Sequence, residues 1–458
     1  MRVAVCVRAG LDGELGPFDA AAYEAALRIE GAEVILLSMG PPSVAELLLR
    51  LTRLGASEAV LLSDKAFAGA DTLATAYALS LAIRRLAPSL VLCGRQTLIG
   101  DTGQTPVMLS EMLRYGVVTG AMGIDEVTEK TITCTTRSEG SVSATLPAVV
   151  AVERIHTLRF PRLRAKERKL TVWSAEDVGA DLSRCGLRGS PTVVLSTSEN
   201  EAGKRHCTFL ARDKLAFAIE EGLKRAALRG AEPALPPCDR LPKAISVGEG
   251  PLSLAVNAFA EVKVIELSET DEVIAWIESE DPDAVLFGSD ARAKRVAAEV
   301  AARMGLGLCA DCTAISAEDG MTVMVRPALS GSIMARVKSR VRPALATVRS
   351  EETTDSRIMV CAGYGVRNSL ERVKTLCEQL GAELCASLRM VDDGYAEYEF
   401  QVGLTGRTVS PPVYIALGVS GAVHHIVGMA RAGTVIAVNT DKDAPIFEYA
   451  DFGIIDEF

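Results

Sequence analysis

Two stretches of this 458-residue chain recur, in order, later in the same chain. P-S-L-V-L-C-G at Pro88 to Gly94 returns as P-D-A-V-L-F-G at Pro282 to Gly288. L-P-A-V-V-A-V-E at Leu146 to Glu153 returns as R-P-A-L-A-T-V-R at Arg342 to Arg349. The offsets, 194 and 196 residues, nearly agree, and a near-constant offset marks an internal duplication. Whatever the first copy folds into, a related domain must follow it.

The first copy alternates buried-strand runs with helical patterns. The pattern predicts strands at Val3 to Val7, Glu33 to Ser38, Ala59 to Leu62 and Leu90 to Gly94, with helices at Asp19 to Ile29, Ser43 to Leu54, Asp71 to Leu86 and Gln104 to Arg114. Such alternation gives parallel βαβ units, and unbroken apolar strands suit a sheet covered on both faces. Shorter strands at Val117 to Ala121, Thr131 to Thr135 and Ala148 to Val152 complete it. Arg154 to Pro191 is basic, Pro-broken and aperiodic, which predicts an arm lying over a neighbouring surface. An amphipathic helix follows at Asp213 to Leu228, and Gly230 to Pro242 is the best linker in the chain.

Bulk properties exclude several classes. Apolar residues make up 48% and charged residues 24%, enough for a core without disulfide staples. The net charge of −10 argues against a nucleic-acid partner, which calls for clustered Lys and Arg. No run approaches the ~18 apolar residues of a membrane span, and the amino terminus does not read as a signal peptide. Eleven scattered cysteines fit a reducing cytoplasm. Cys309 and Cys312 form a C-x-x-C, but without a second pair or a nearby histidine they read as buried small residues rather than a metal or redox site.

Two turns carry binding chemistry. Cys93 to Thr105, C-G-R-Q-T-L-I-G-D-T-G-Q-T, ends a strand and enters a helix, so it is either a nucleotide loop or a long polar loop with an ordinary cap. Near the C-terminus, Val413 to Val419 predicts a buried strand, Gly418 to Gly421 a tight turn, Ala422 to Ala430 a helix and Thr434 to Asn439 the next strand. Free backbone N–H groups in such a turn suit a phosphate; close backbone packing is the alternative reading of the glycines. The second copy has only S-D-A-R-A-K after Gly288, which predicts scaffolding rather than a nucleotide site.

Together these stretches resemble the electron-transfer flavoproteins. S-M-G-P-P at Ser38 to Pro42, L-L-S-D-K-A-F-A-G-A-D-T-L-A-T at Leu61 to Thr75, C-G-R-Q at Cys93 to Gln96 and V-W-S-A-E-D at Val172 to Asp177 resemble the beta subunit. A-D-C-T-A at Ala310 to Ala314, Q-V-G-L-T-G at Gln401 to Gly406, S-G-A-V-H-H at Ser420 to His425, D-A-P-I-F at Asp443 to Phe447 and A-D-F-G-I at Ala450 to Ile454 resemble the alpha subunit. The resemblance implies an α/β protein with both subunits fused. It would comprise a beta-like nucleotide-binding domain with its arm (1–195), the closing helix and linker (196–242), an alpha-like N-terminal domain (243–350) and an FAD-binding domain (351–458). The first and third would be related parallel-sheet domains of the adenine-nucleotide-hydrolase type, and the last Rossmann-like.

The implied function is FAD-dependent electron transfer between a flavin dehydrogenase, such as an acyl-CoA dehydrogenase, and a second redox partner. The alternative is a nucleotide-binding scaffold of the same fold with weakened flavin chemistry. The chain would be a carrier rather than an enzyme, oxidising NADH only if it bifurcates electrons. Carried over by position, Tyr364, Ser387 and Arg389 flank the flavin or its phosphates. Gln401, Val402, Gly403, Leu404 and Thr405 run beside the ring, with Thr405 near N5. Ser420, Gly421, Ala422, Val423, His424 and His425 cradle the pyrophosphate, with His425 close to a ring oxygen, and Asn439, Glu457 and Phe458 meet the ribose and adenine. In the beta-like half, AMP or a second FAD would occupy the loop bearing Gly94, Gly100, Asp101, Thr102, Gly103, Gln104 and Thr105.

Departures matter too. Leu388 stands where the family has an arginine, with Arg389 one place later; Tyr364 replaces another arginine, Leu404 a glutamine, and His424 stands where glutamine is usual. Loss of the arginine charge at Leu388 predicts a lower flavin potential unless Arg389 swings in.

Overall fold

A computed structural model of the chain describes all residues except 11, 98, 155, 200–202, 229–239, 249–250, 330, 350–355 and 404–405. Most of the predicted linker and the junction Ser350 to Ser356 therefore lie outside the described residues, as do Leu404 and Thr405. The structure is α/β and divides into two compact units, one of residues 1–197, 238–329 and 335–349, the other of 198–237, 330–334 and 350–458.

In the first unit, the duplication is visible as topology. The nine-stranded sheet contains Gly116–Val127, Ala148–Val152, Leu90–Gly94, Arg2–Cys6 and Glu33–Met39 side by side. A five-stranded sheet repeats that order with Leu308–Cys312, Ala344–Val348, Ala284–Phe287, Leu241–Val247 and Phe259–Ile265. These central strands pair in parallel and are buried almost throughout, which is why they lack alternation. The second copy ends its sheet at Phe259–Ile265, whereas the first continues with Glu58–Leu62 and Lys169–Trp173.

Lys169–Trp173 corrects one expectation. Part of the aperiodic arm is a strand, paired in parallel with Glu58–Leu62. Its residues are half exposed at the sheet edge, so the buried apolar run that signals an interior strand is missing. Leu241 and Pro242, expected in the linker, begin the strand Leu241–Val247.

Helix ends follow ordinary capping chemistry. Asp71 caps Thr72–Leu86 by accepting from the Ala74 amide at 3.0 Å, and its other oxygen accepts from the Thr192 amide and hydroxyl. In the second copy Asp290 likewise caps Ala291–Met304 through the Ala293 amide at 2.9 Å. The equivalent strand end is thus closed by a short aspartate cap, while the first copy spends ten residues there, from Arg95 to Gln104. Helices Thr105–Leu113 and Ala291–Met304 pack together, tied by Arg303 and Glu111 at 2.7 Å.

The second unit is an all-parallel six-stranded sheet in the order Thr208–Leu210, Phe452–Ile455, Thr434–Asn439, Val413–Leu417, Ile358–Ala362, Glu383–Ala386. Helix Leu215–Leu228 packs on it through Gly222, where an added Cβ would meet Val413 and Thr434 at about 3 Å. After Ile358–Ala362 the chain lays its next strand on one side and the following one on the other. That reversal creates a crevice at the carboxyl ends of Ile358–Ala362 and Val413–Leu417, the place where open α/β sheets take ligands.

Candidate functional site

Glycines shape the crevice of the second unit. Gly363 and Gly418 end the two strands that flank it, and a Cβ on Gly363 would stand 2.2 Å from the Gly418 carbonyl oxygen. Gly421, at φ +87, would place a Cβ 2.1 Å from the Ile446 amide. These glycines therefore let backbone cross backbone. The same compactness leaves a short row of donors: among the described residues the amides of Ser420, Gly421 and Ala422 donate to no protein acceptor. A phosphate fits such a row. Helix Val423–Met429 follows.

Other predicted residues belong to the same unit. Asn439 donates to the Val419 carbonyl at 2.8 Å and accepts from the Asp441 amide at 3.0 Å, so it braces the turn. Glu457 and Phe458 line a cavity of about 190 Å³ with Val438, Ile454 and Arg372. Ser387 stands at the N-cap position of the short helix Leu388–Asp392, where its carbonyl accepts from the Met390 amide. Tyr364 is stacked by two guanidiniums, Arg389 at 3.8 Å and Arg367 at 4.4 Å from its ring centroid. The Arg389 side chain is exposed.

The segment at Gln401 returns beneath the helix. Gln401 and Val402 are buried, the Val402 amide donates to Ala386, and a Cβ on Gly403 would meet the His424 carbonyl at 2.7 Å. His425, expected beside a ring oxygen, is buried: Nδ1 lies 3.1 Å from the Val402 carbonyl oxygen and Nε2 lies 3.0 Å from the Tyr414 hydroxyl. Cys361 and Cys385, register partners on adjacent strands, sit beside this pair, Cys361 Sγ 3.8 Å from Nε2 and Cys385 Sγ 3.7 Å from Tyr414 Oη. Burial raises the Tyr414 and Cys385 pKa values. Burial also opposes ionisation of Cys361, but contacts with Cys385, His425 and Tyr414 outweigh it and lower its pKa.

In the first unit the Cys93 to Thr105 loop is built from charge. Asp101 is buried at φ +51, and burial lifts its pKa to about 6. Gln96 donates to its carboxylate at 2.7 Å. Arg326, on strand Met321–Ala328 of the second copy, donates to the Gly100 carbonyl at 2.9 Å and the Asp101 carbonyl at 2.8 Å. Both amide atoms of buried Gln104, and Nε of buried Arg326, lack a hydrogen-bond partner among the described residues. Orphaned buried polar groups are costly, and a polar ligand would satisfy them. Thr102 meets Thr72 at 3.4 Å, while Gly103, at φ +66, and Thr105 carry the chain into its helix.

Gly94, at the start of this loop, also has a packing role. A Cβ there would strike Asp19 at 2.5 Å, so it admits the start of helix Pro17–Arg28. Asp19 is itself buried, raised to about 7 by that burial, and accepts from the Arg8 amide at 2.8 Å. Sequence reasoning passed over Arg326; its signal was one cation in the otherwise apolar run M-T-V-M-V-R-P-A. The C-x-x-C pair is buried, with the Cys312 thiol donating to the Cys309 carbonyl. No group of metal-ligating side chains occurs among the described residues.

The first half of the arm is anchored by an ion pair. Arg159 reaches both oxygens of buried Glu24 at 2.9 Å. Burial acts to raise Glu24, but Arg159 and Arg28 hold it at about 2. Beyond that anchor Phe160 and Leu163 stand 93% and 100% exposed. No helix among the described residues is long and apolar enough to cross a membrane.

Comparison with known proteins bears on both sites. The model for the electron transfer flavoprotein domain matches residues 3–178 and 266–359, and that for the electron transfer flavoprotein FAD-binding domain matches 352–430. The second match covers the unbonded amides at 420–422 but stops short of Asn439, Glu457 and Phe458. Similar proteins include Protein FixA of Bradyrhizobium diazoefficiens, 40% identical over 41% of this chain and 72% of that protein. The electron transfer flavoprotein subunit alpha of Thermoanaerobacterium thermosaccharolyticum is 33% identical over 38% of this chain and 67% of that protein. The caffeyl-CoA reductase-Etf complex subunit CarD of Acetobacterium woodii is 38% identical over 41% of this chain and 76% of that protein.

Proposed function

Because the chain belongs to the electron-transfer flavoprotein family, with the domains of both subunits in one polypeptide, we propose that it carries electrons on FAD between a flavin dehydrogenase and a second redox partner. The observation that carries this reading is the row of unbonded amides at Ser420 to Ala422, set in the sheet's crevice and inside the matched FAD-binding segment. Bound there, FAD supplies the redox chemistry. The protein's part is to hold the pyrophosphate on those amides and, at Glu457 and Phe458, to offer the adenosine end a cavity. On this reading Tyr364, Ser387 and Arg389 border the crevice, and Gln401, Val402 and Gly403 run beside the ring.

The Gly100 to Thr105 loop is read as a second nucleotide site, for AMP or a second FAD. The orphaned Gln104 amide and Arg326 Nε support a polar ligand without choosing between these. The exposed Phe160 and Leu163, flanked by Arg162 and Arg164, suit a protein partner, since isolated large apolar groups on a basic segment gain by docking. An acyl-CoA dehydrogenase, in the cytoplasm, is the proposed donor.

The test is the absorption spectrum of the purified chain, followed by cofactor extraction. One FAD, FAD with AMP, or two FAD per chain each fit the reading and assign the second site. A colourless protein that takes up no added FAD sinks it.

A further inference from the structure

The duplicated sheets of the first unit differ at one edge. In the N-terminal sheet Glu33–Met39 is covered on its outer side by Glu58–Leu62, paired in parallel from Ile35 to Met39. Its counterpart Phe259–Ile265 is the last strand of the five-stranded sheet among the described residues. That strand is regular, pairing with Leu241–Val247 without a register shift. The Ile265 carbonyl accepts from the Gly248 amide, on the Leu241–Val247 side. Alternation along the strand therefore turns the backbone groups of Ala260, Val262 and Val264 outward, away from the sheet.

Such edges are ordinarily blunted by a proline, a bulge or a free lysine. Phe259–Ile265, F-A-E-V-K-V-I, has neither of the first two, and its lysine is engaged. Lys263 pairs with Glu280 on helix Thr270–Glu280 and lies 4.0 Å from the centre of the Trp276 ring. Glu261 is exposed. On the opposite face of the strand Ala260 and Val264 are exposed, with half-buried Val262 between them.

We propose that this edge binds a second molecule of the same chain, strand to strand and antiparallel about a two-fold axis at Val262. The sequence is complementary to itself in that register. Ala260 faces Val264 of the other molecule and Val262 faces its own copy, and these outward-turned residues exchange the backbone hydrogen bonds. Glu261 then faces Lys263 of the other molecule at the closer, non-hydrogen-bonded positions, where Cα atoms stand ~4.5 Å apart. The pair forms twice by symmetry, and the apolar row Ala260, Val262 and Val264 is covered on the other face.

Sedimentation of the full chain between about 1 and 100 µM, the range of a modest interface, tests this. The expected result is a concentration-dependent species of twice the 48.5 kDa chain mass. Val264→Pro removes an outward N–H that the parent sheet does not use, and should weaken dimerisation at least tenfold. Glu261→Lys sets lysine against lysine and should weaken it about tenfold; Lys263→Glu does the same with glutamates. Mixing these two charge variants restores the dimer, because lysine again faces glutamate at both positions. Hydrogen-exchange protection of the central strand Ala284–Phe287 is retained in each variant, which separates a lost interface from a failed fold.

A chain that stays monomeric throughout that range overturns the proposal, as does a dimer that Val264→Pro and Glu261→Lys leave intact. Should Lys263→Glu fail to fold for want of its Glu280 pair, the other two variants still decide.

Discussion

The two candidate nucleotide sites occupy equivalent places, each at the carboxyl ends of parallel strands where the chain reverses direction across its sheet, yet they are built by opposite means. The site at Gly418 to Ala422 is shaped by backbone: glycines pass within contact distance of other main chain, and the donors left over are amides. The site at Gly100 to Thr105 is shaped by buried charge and amide side chains, Asp101, Gln96, Gln104 and Arg326. A backbone site tolerates no added atoms but is nearly indifferent to pH. A charged site tolerates bulk and depends on proton and ion balance.

Alanine substitution of one glycine in each site tests this most severely. Gly421→Ala drives a Cβ to 2.1 Å from the Ile446 amide at φ +87, so something in the main chain must move. The expected result is a protein without FAD and destabilised by at least ~3 kcal/mol, from overpacking plus a left-handed residue. Gly103→Ala has a similar φ of +66, but its nearest neighbour is 3.6 Å away. It should cost only ~1 kcal/mol and leave nucleotide bound. Thermal melts and cofactor content read both; equal effects would erase the distinction.

Arg326→Met reverses the roles. It leaves two loop carbonyls without their donor and removes one of the cations near the Asp101 carboxylate, a loss of ~3 kcal/mol. The N-terminal nucleotide should then bind about 100-fold more weakly, while FAD content of the C-terminal site stays unchanged. Extraction of both nucleotides from one preparation checks this. Retention of the N-terminal ligand would mean the second copy is scaffolding alone, as its sequence suggested.

How much of each site was legible in the sequence follows from the same contrast. Glycines at φ > 0 in a strand–turn–helix are local signals, so the segment from Gly418 to Ala422 could be read from its own residues. Their physical reason, backbone crossing from Gly363 and Ile446, needed the fold. Arg326 stands 225 positions from Asp101, and no local pattern joins them. The duplication was readable because buried parallel strands repeat their apolar runs. Strand Lys169–Trp173 was not, because an edge strand half open to solvent has no such run to show. His425 was seen in the sequence; its contacts with Tyr414 and Val402 were not, because only tertiary packing brings these groups together.

Protonation separates the sites next. Asp101 has its native pKa raised to about 6 by burial, above the unfolded value of ~3.9. The folded state thus holds this proton more tightly, and stability from Asp101 falls as pH rises from ~4 to ~6, by up to roughly 3 kcal/mol. Asp19, raised to about 7, adds a fall of the same sign that continues to that pH. Asp101→Asn should flatten part of the pH dependence of melting between pH 4 and pH 6 and leave the Asp19 part. A variant with the wild-type slope would show that the Asp101 carboxyl is already solvated.

The smallest expected effect concerns an exposed charge at the backbone-built site. Arg389 stacks on Tyr364 and lies 3.7 Å from Asp393, with its side chain 67% exposed. An exposed, partly paired guanidinium is screened by water and salt, so it replaces only a little of the positive charge absent at Leu388. Arg389→Gln should lower the flavin midpoint potential by no more than about 30 mV, the two-electron equivalent of ~1.4 kcal/mol, and raising the ionic strength should shrink the difference. Redox titration of wild type and variant at two salt concentrations makes the comparison. A larger drop that salt does not touch would place the guanidinium against the ring in a water-excluded setting. The site would then be charge-built like its N-terminal counterpart, and the contrast between the two would fail.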